Sequence, residues 1–447
     1  MPTKSLTLST ALVTAVLSTS AITTVATAAD TATLSNSVSA AEQTDRIIIK
    51  YRDSVMQGEN ATRREARKQR RLARLERRIN RKLERIGNRP NGRDVVKMKR
   101  MAKIAELQAI VAELRNDPDV EYAEPDYIMK PLVVPTDPLY NQQWHYNEAA
   151  GGMNLEAAWD ISSGDTGVVI AVIDSGIRPH AEFGNRLLPG YDFISDEFIS
   201  NDGDGRDADP SDTGDATVAG ECGNGQPTSD QSSSWHGTHV AGTVAAGGNN
   251  NIGGTGVAYN ASLLPLRALG KCGGYTSDIA DAMRWAAGLS VPGVPNNPNP
   301  AQVLNMSLGG TAACSNTYQQ TIAEVRAAGA TIVVAAGNEN SNVSTATPAN
   351  CSGVIAVAAT DRNGGRAYYS NFGTGVTVAA PGGELFSNSQ TNGVLSTYNS
   401  GQTSPGSDSY AYLQGTSMAT PHVAGVVGLM YSVAGDMTPA EAEQALA

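Results

Sequence analysis

Cysteine is scarce in this chain of 447 residues, which contains only Cys222, Cys272, Cys314 and Cys351. None of the four stands in a CxxC spacing, and this absence argues against a zinc ribbon or a thioredoxin-like redox motif. The HExxH pattern is also missing, which excludes the common zinc-protease motif. In an exported protein, four cysteines instead predict two disulfides, for which three pairings are possible.

Long apolar runs and aromatic residues are few as well. Phe, Tyr and Trp make up 5% of the chain while glycine occurs 46 times, so we expect a core of closely packed small side chains. The apolar stretch after Lys4 is interrupted by serine and threonine before it reaches spanning length, and it ends in Ala26-Thr27-Ala28. Residues 1–28 are therefore predicted to be a secretory signal peptide and not a membrane anchor, so the mature protein is expected outside the cell.

Positive charge is scarce in the larger part of the chain. Residues 134–447 carry 9 Lys and Arg against 28 Asp and Glu, whereas residues 30–133 carry 23 against 16. A basic segment joined to an acidic one predicts two parts that attract each other. The apolar fraction of 40% and the charged fraction of 17% are typical of globular domains and not of a disordered chain.

The basic segment is predicted to fold as strand, helix, helix and strand. RIIIKYR (46–52) predicts the first strand, a helix is expected at 101–115, and 117–130 predicts a strand with an extended tail. The prolines of PLVVPTDP mark a linker, with a domain boundary near Val134. An apolar repeat between the first strand and 101–115 predicts an amphipathic helix that contains Leu72, Leu75, Ile79, Leu83 and Ile86.

Two interpretations of this arginine-rich helix remain open. A row of arginines is typical of nucleic-acid binding, although an exported chain rarely meets such a ligand. The alternative is a solvated face or a contact with the acidic part of the chain. We favour the alternative and expect no nucleic-acid partner.

Beyond Val134, apolar runs alternate with helical patterns. Helical segments are predicted at 277–289 and 317–329. The alternation predicts an α/β domain with a mainly parallel sheet, in which ligand sites lie beyond the carboxyl ends of the strands. The runs that predict buried strands are GVVIAVID (167–174), ASLLPLRAL (261–269), QVLNMSL (302–308), ATIVVAAGN (330–338) and GVIAVAAT (353–360).

Four polar residues stand where strands end or helices begin. Asp174 closes an apolar run, and the glycine after His236 suggests a helix start with an exposed imidazole. Asn338 also ends a run, and its amide can donate to a negative oxygen. Ser417 precedes an apolar helix, whose N-terminal N–H groups favour an oxyanion. Taken singly, a capping aspartate and a turn asparagine are the commoner explanations.

Together, DSG, HGTHVAG, AAGN and GTSMATPHVAG resemble, in this order, the motifs of the subtilisin-like serine proteases. The resemblance covers about residue 137 to the C-terminus and implies an enzyme that hydrolyses peptide bonds of proteins through an acyl-enzyme. It implies that Ser417 is the nucleophile, that His236 is the general base and then acid, and that Asp174 orients and stabilises the imidazole. Asn338 and the backbone N–H of Ser417 would form the oxyanion hole. A catalytically silent binding protein on the same fold is the alternative.

The resemblance also implies how a peptide substrate binds. It would lie as an extended strand between an edge at Gly273 and Gly274 and a second edge formed by Ser307, Leu308 and Gly309. The S1 pocket receives P1, the substrate residue whose carbonyl is attacked. Glu339 would lie on the rim of this pocket, so a basic side chain at P1 would be tolerated. The pocket is expected to be roomy because it is formed by the small residues Ala335, Ala336 and Gly337.

Residues 29–134 resemble the propeptides of this family, which assist folding and inhibit the enzyme until they are cleaved. The resemblance thus implies a small α+β propeptide domain, followed at 135–447 by a subtilisin-like three-layer α/β peptidase domain with a mainly parallel sheet. We expect a zymogen that cuts itself near Val134, a propeptide that acts as its own inhibitor, and a monomeric enzyme. In the family the last helix, here capped by Thr438, runs on, so further chain is expected after Ala447.

Two calcium sites and the disulfide pairing complete the expectations. A glycine-rich loop holds five carboxylates, which repel one another unless a cation lies among them. The alternative is a solvated acidic loop. The five carboxylates belong to Asp202, Asp204, Asp207, Asp209 and Asp212. The resemblance implies a second site at Asn250, with Asp137 and Glu182 as further ligands. It also implies the disulfides Cys222–Cys272 and Cys314–Cys351.

Overall fold

The computed structural model describes residues 44–52, 61–89, 93–102, 104–127, 134–386 and 389–447. The predicted signal peptide and the tail before Val134 lie outside these ranges. The described residues form two compact units, 44–127 and 134–447. Within the described residues, no helix combines the length and the hydropathy that a bilayer span requires.

The N-terminal unit is an antiparallel sheet with two helices. The sheet order is β2-β3-β1-β4, and residues such as Ile47, Ile49, Leu75 and Leu107 form its buried core. The unit is therefore α+β, as predicted. Its elements are β1 (Thr44–Tyr51), α1 (Ala61–Ile79), β2 (Leu83–Arg89), β3 (Arg93–Ala102), α2 (Ile104–Arg115) and β4 (Val120–Pro125).

The predicted long amphipathic helix is wrong in its second half. Helix α1 ends at Ile79, and Asn80 follows with a left-handed φ of 51°. Leu83 then opens β2, which pairs antiparallel with β3. Pairing with a strand that comes later in the chain thus prevails over the helical spacing of Leu83 and Ile86, because β2 gains both a hydrogen-bonded neighbour and burial of Leu83.

Much of the basic face of α1 is paired with acids of the same unit. The Lys68 side chain is 8% exposed and its ammonium lies 2.9 Å from the carboxylate of Asp94. The basic residues of α1 thereby tie the helix to β3, to α2 and to the turn before β4. The other pairs are Arg71–Asp119, Arg74–Asp117, Arg74–Asp119 and Arg78–Glu113.

The second unit is built on a parallel sheet of seven strands in the order β13-β12-β10-β8-β5-β7-β6. Two antiparallel pairs, β9–β11 and β14–β15, stand apart from it. The strands are β5 (Val169–Asp174), β6 (Tyr191–Asp192), β7 (Ser262–Arg267), β8 (Val303–Met306), β9 (Gly310–Thr311), β10 (Thr331–Ala335), β11 (Ala346–Thr347), β12 (Ile355–Thr360), β13 (Val378–Pro381), β14 (Val394–Asn399) and β15 (Asp408–Leu413). The helices are α3 (Trp144–Asn147), α4 (Leu155–Trp159), α5 (Glu197–Ser200), α6 (His236–Ala245), α7 (Thr276–Ala286), α8 (Asn316–Ala327), α9 (Thr416–Val433) and α10 (Pro439–Leu446).

Helices cover both faces of this sheet. In β5, Ile170 and Val172 contact the core shared with α6 and α9, whereas Ala171 and Ile173 contact the core shared with α7 and α8. Because both faces are buried, the strands are continuous apolar runs instead of alternating ones. The predicted three-layer α/β arrangement with a mainly parallel sheet is confirmed.

The order of the strands places a crevice at the end of β5. The chain leaves β5 to form β6 and β7 on one side of it and then returns to form β8 on the other side. Ligand sites of parallel sheets form where the winding reverses in this way, at the carboxyl ends of the strands. Asp174 is the last residue of β5 and lies at this point.

Candidate active site

Asp174 and His236 are joined by a hydrogen bond at the end of β5. His236 Nδ1 donates to Asp174 Oδ1 over 2.7 Å, and the backbone N–H of Ser175 donates to the same oxygen over 2.8 Å. Burial alone would lower the pKa of His236, but the charge and hydrogen bond of Asp174, together with the charges of Asp215 and Asp212, raise it above the ordinary value. The imidazole is thus oriented through Nδ1, and Nε2 is left to take a proton.

The neighbours of His236 hold it at the first residue of α6. Trp235 has a φ of 45°, its ring is buried, and its Nε1 donates to the carbonyl oxygen of Gly401 over 2.7 Å. A Cβ on Gly237 would lie 2.2 Å from the carbonyl oxygen of Gly176. Glycine is therefore required at 237, because it lets α6 approach the chain that follows Asp174. The predicted helix start at His236 is confirmed.

Ser417 is the second residue of α9, and its hydroxyl donates to the carbonyl oxygen of Ser307 over 3.2 Å. In return, the hydroxyl of Ser307 donates to the carbonyl oxygen of Ser417 over 2.9 Å. That carbonyl has no N–H donor four residues later, because the residue there is Pro421. Ser307 replaces the missing helical hydrogen bond and thereby fixes the first turn of α9.

Two N–H donors border one space beside Gly415. Asn338 Oδ1 accepts from the N–H and the hydroxyl of Thr416 over 2.8 and 2.9 Å, which leaves Asn338 Nδ2 to donate elsewhere. A Cβ on Gly415 would lie 3.5 Å from Ser417 N and 3.6 Å from Asn338 Nδ2. Gly415 has a φ of 149°, which side chains rarely adopt, so glycine keeps this space open. The pair of donors can stabilise a negatively charged oxygen.

A cavity of ≈ 480 Å³ opens beside Ser417 and contains most of the predicted substrate-binding residues. The predicted residues that line it are Gly273, Gly274, Ser307, Leu308, Gly309, Gly337, Asn338 and Glu339. Sequence reasoning missed other wall residues, among them Thr276, Ile279, Tyr318, Ala346 and Thr347. Thr276 follows closely on the predicted edge at Gly273 and Gly274, whereas the others, which come from α7, α8 and β11, lie outside every motif.

One predicted pocket residue is wrong. Ala335 lines the cavity, but Ala336 is fully buried in the core that β10 shares with α7 and α8. Successive residues of extended chain point to opposite faces, so the two alanines cannot both face the cavity. Glu339 is exposed at the cavity wall, and its Oε2 accepts from Asn371 Nδ2 over 2.8 Å.

A second cavity, of ≈ 550 Å³, lies beside Asp174 and His236. Leu269, Cys272 and Gly273 line both cavities, so the segment 269–273 separates them. The two adjoining cavities, which share this wall, are together called the groove, and the four residues that the motifs singled out border it. Ser417 and Asn338 border the first cavity, and His236 and Asp174 border the second.

The model of the subtilase family matches residues 165–447. The chain belongs to the subtilase family. An extracellular protease of Xanthomonas campestris pv. campestris is 51% identical over 356 residues, which are 79% of this chain and 59% of that protein. An extracellular basic protease of Dichelobacter nodosus is 41% identical over 407 residues, which are 90% of this chain and 65% of that protein. The chain thus spans less than two thirds of the length of either relative.

A solved structure is similar to this subtilase as well. It is a protease of Pseudoalteromonas arctica with 57% sequence identity and a TM-score of 0.68, and the match covers 70% of this chain and 91% of that one. The subtilisin-like fold that the four motifs implied is therefore confirmed. The subtilase also contains the two disulfides implied by the resemblance, Cys222–Cys272 and Cys314–Cys351.

The second histidine of the HGTHVAG motif lies apart from the groove. His239 is fully buried, and its Nε2 lies 3.0 Å from the carbonyl oxygens of both Val394 and Ala411. Burial lowers the pKa of His239 to about 3, so the ring stays neutral. His239 binds α6 to the β14–β15 hairpin.

The acid-rich loop of this subtilase is not one set of five ligands. Asp212 is buried, and its carboxylate accepts from the hydroxyl of Ser175 over 2.7 Å, close behind Asp174. Asp202 forms an ion pair with the buried guanidinium of Arg267 on β7. The expectation failed for these two acids because their partners lie far away in the sequence.

The other three acids of the loop remain at the surface. Asp204 and Asp209 are exposed, and Asp207 is half-buried. Desolvation raises the pKa of Asp204, and the charges of Asp207 and Asp202 raise it further. Within the described ranges, no group of three or more His, Cys, Asp or Glu side chains is arranged to hold a metal ion.

The residues of the second predicted calcium site do lie together. Asp137 accepts backbone N–H bonds from Asn250 over 2.9 Å and from Asn251 over 3.1 Å. Glu182 accepts from Asn250 Nδ2 over 3.0 Å. Both carboxylates are buried, and burial raises the pKa of Glu182, with a smaller contribution from the charge of Asp137. The site offers carboxylate and amide oxygens, which are the ligands that calcium takes in proteins.

Proposed function

We propose that this subtilase is a serine endopeptidase that acts on proteins outside the cell. The observation that carries the proposal is the 2.7 Å bond from His236 to the buried Asp174, in one groove with Ser417 and the free amide of Asn338. An imidazole poised by a carboxylate is what a serine hydroxyl needs to become a nucleophile. The names of the two curated relatives as extracellular proteases support both the activity and the location.

In this proposal His236 Nε2 accepts the proton of Ser417 while the oxygen of Ser417 bonds to the substrate carbonyl carbon. The carbonyl oxygen becomes negative and accepts hydrogen bonds from Asn338 Nδ2 and Ser417 N. Asp174 stabilises the charged imidazole, which then protonates the leaving amine and leaves an acyl-enzyme. Water repeats the sequence against the acyl group and frees Ser417.

The hydroxyl of Ser417 must turn for the first of these steps. It donates to the carbonyl of Ser307 in this structure and has to donate to His236 when a peptide binds. Hydrogen bonds of catalytic groups are often loose without substrate and tighten in the complex. The peptide would pair with the segment 269–274, and its P1 side chain would enter the cavity beside Ser417.

We also propose that the protein is made as a precursor that processes itself. The unit at 44–127 belongs to the basic segment 30–133, and the peptidase part is acidic, which favours their association. Residues 1–28 would direct export, residues 29–134 would serve as inhibitory propeptide, and cleavage near Val134 would release a monomeric enzyme from 135 onward.

Calcium is proposed as a structural ligand at the loop of Asn250. Asp137 and Glu182 are two buried carboxylates near each other, and a cation there would remove their repulsion. A chelator is expected to lower the Tm of the wild type but not that of Glu182→Ala, if the loop of Asn250 is the main site.

The activity is tested by comparing the wild type with Ser417→Ala and Ser432→Ala. Ser432 lies on the same helix, and its hydroxyl donates to the carbonyl oxygen of Leu429, so it is a control for the loss of a serine from α9. We expect the wild type and Ser432→Ala to be cut near Val134 by intact mass and to digest casein. Ser417→Ala should do neither. Identical processing of all three chains without casein digestion would refute the proposal.

A further inference from the structure

We propose that the cavity beside His236 is a subsite for a basic side chain at P2, the substrate residue that precedes P1. This inference rests on the proposed peptidase function and specifies its substrate. Asp215 would be the residue that recognises the cation.

The position of the cavity relative to the first one carries the argument. Leu269, Cys272 and Gly273 form a common wall, with Ser417 on one side of it and His236 on the other. Side chains of an extended peptide point alternately to opposite sides. A peptide that pairs with this segment and places P1 in the cavity of Ser417 therefore presents P2 to the cavity of His236.

The lining of this cavity contains carboxylates and no lysine or arginine. Besides residues of the segment 269–273 it includes Asp215, Gln226, Gln231, Ser232 and Ser234. These side chains offer carboxylate, amide and hydroxyl oxygens as hydrogen-bond acceptors. At a volume of ≈ 550 Å³ the cavity has room for a long side chain.

Asp215 is the charge that this lining presents. Its two oxygens accept from the N–H and the hydroxyl of Ser234, each over 2.6 Å, and among the described residues it has no ion pair. Two other acids nearby already have partners, because Asp174, which also lines the cavity, is bound to His236, and Glu221 lies 3.0 Å from the ammonium of Lys271. Asp215 and His236 both line the cavity, and against the effect of burial the charge of Asp215 adds to that of Asp174 in raising the pKa of His236.

The loop that carries Asp215 is held in place at several points. Thr217 and Gln231 exchange two backbone hydrogen bonds, of 3.1 and 2.8 Å. The disulfide Cys222–Cys272 joins the loop to the segment that separates the cavities. A fixed, half-buried carboxylate with spare acceptor capacity favours a lysine or arginine at P2 and disfavours an acid.

The test uses fluorogenic peptides that are identical except at P2, which is lysine, norleucine, glutamate or glutamine, with phenylalanine at P1. We expect the wild type to prefer lysine over the uncharged norleucine by about three- to tenfold in kcat/KM, and about 1 M salt to weaken this preference. In Asp215→Asn the ratio of kcat/KM for the lysine peptide to that for the norleucine peptide should fall toward one. Asp230→Asn should keep it, because Asp230 lies on the same loop but outside the cavity wall.

Asp215→Asn will also change the rate for every peptide, since Asp215 acts on His236, so the ratio and not the rate is the readout. A wild-type ratio of one, or a ratio that Asp215→Asn leaves unchanged, overturns the subsite while the peptidase function stands. Failure of the wild type to hydrolyse any peptide overturns the proposed function and the subsite with it. Should Asp215→Asn not fold, the wild-type ratio and its salt dependence decide.

Discussion

Ser307→Ala should destabilise the start of α9, although it removes a single hydroxyl. This hydroxyl donates to the carbonyl of Ser417, for which Pro421 supplies no helical donor. It also accepts from Asn305 Nδ2 over 3.0 Å. The variant therefore leaves a carbonyl and an amide without their partner in a largely buried region.

The expected cost follows from these two groups. Leaving a buried polar group unsatisfied costs about 1–3 kcal/mol, and a chain of this size loses roughly 2 °C of Tm per kcal/mol. For the two groups together this amounts to about 2–6 kcal/mol, so we expect Ser307→Ala to lower the Tm by about 4–12 °C. Pro421→Ala restores an N–H four residues after Ser417, so the same substitution should cost less in that background.

Calorimetry on four chains measures this coupling. All four chains carry Ser417→Ala, which prevents self-digestion and keeps the backbone carbonyl. One has no further change, and the others add Ser307→Ala, Pro421→Ala or both. The difference between the two Ser307→Ala effects is the interaction energy of the cycle. Equal Tm losses in both backgrounds would refute the argument that Ser307 replaces the hydrogen bond that proline removes.

Three further perturbations test the site. Asp174→Asn removes the charge that raises the pKa of His236, so kcat should fall by about 10⁴ and the acid limb of kcat/KM should move to lower pH. Burial lowers the pKa of His239 to about 3 and that of His422 to about 4. The unfolded chain binds these protons below about pH 6.5, so we expect the Tm to decrease as the pH falls from there toward about 4. Glu339→Gln should reduce kcat/KM about threefold for peptides with lysine at P1 and leave phenylalanine peptides unchanged.

Each of these outcomes can be contradicted. An acid limb that stays in place in Asp174→Asn would show that another group sets the pKa of His236. A Tm that does not depend on pH between about 6.5 and 4 would refute the inference that the buried imidazoles are neutral. If they are neutral, His422→Gln should make the Tm depend less on pH. If Glu339→Gln lowered kcat/KM equally for peptides with lysine and with phenylalanine at P1, Glu339 would act on the whole pocket and not on the charge of P1.

The strands of the large sheet could be predicted because burial on both faces marks them locally. The five predicted runs became β5, β7, β8, β10 and β12, whereas the short edge strands β6 and β13 were missed. Their order in the sheet depends on pairing between distant segments. The same dependence explains the error at Leu83, since the spacing from Leu72 to Ile86 suits a helix and only β3 makes a strand of β2. The sequence does contain a turn signal just after this stretch, Pro90-Asn91-Gly92, which is typical of the end of a strand and not of a continuing helix.

The family, the fold class and the four residues of the groove could be predicted from the sequence, because each motif is a local run whose side chains need only their neighbours to be recognised. What those residues contact depends on how distant parts of the chain pack. Ser307 meets Ser417 across 110 residues of chain, and Arg267 meets Asp202 across 65. Such contacts arise where strands and helices pack, so no spacing in the sequence reveals them. The cavity beside His236 has the same origin, because its lining combines the loop of Asp215 with the segment 269–273.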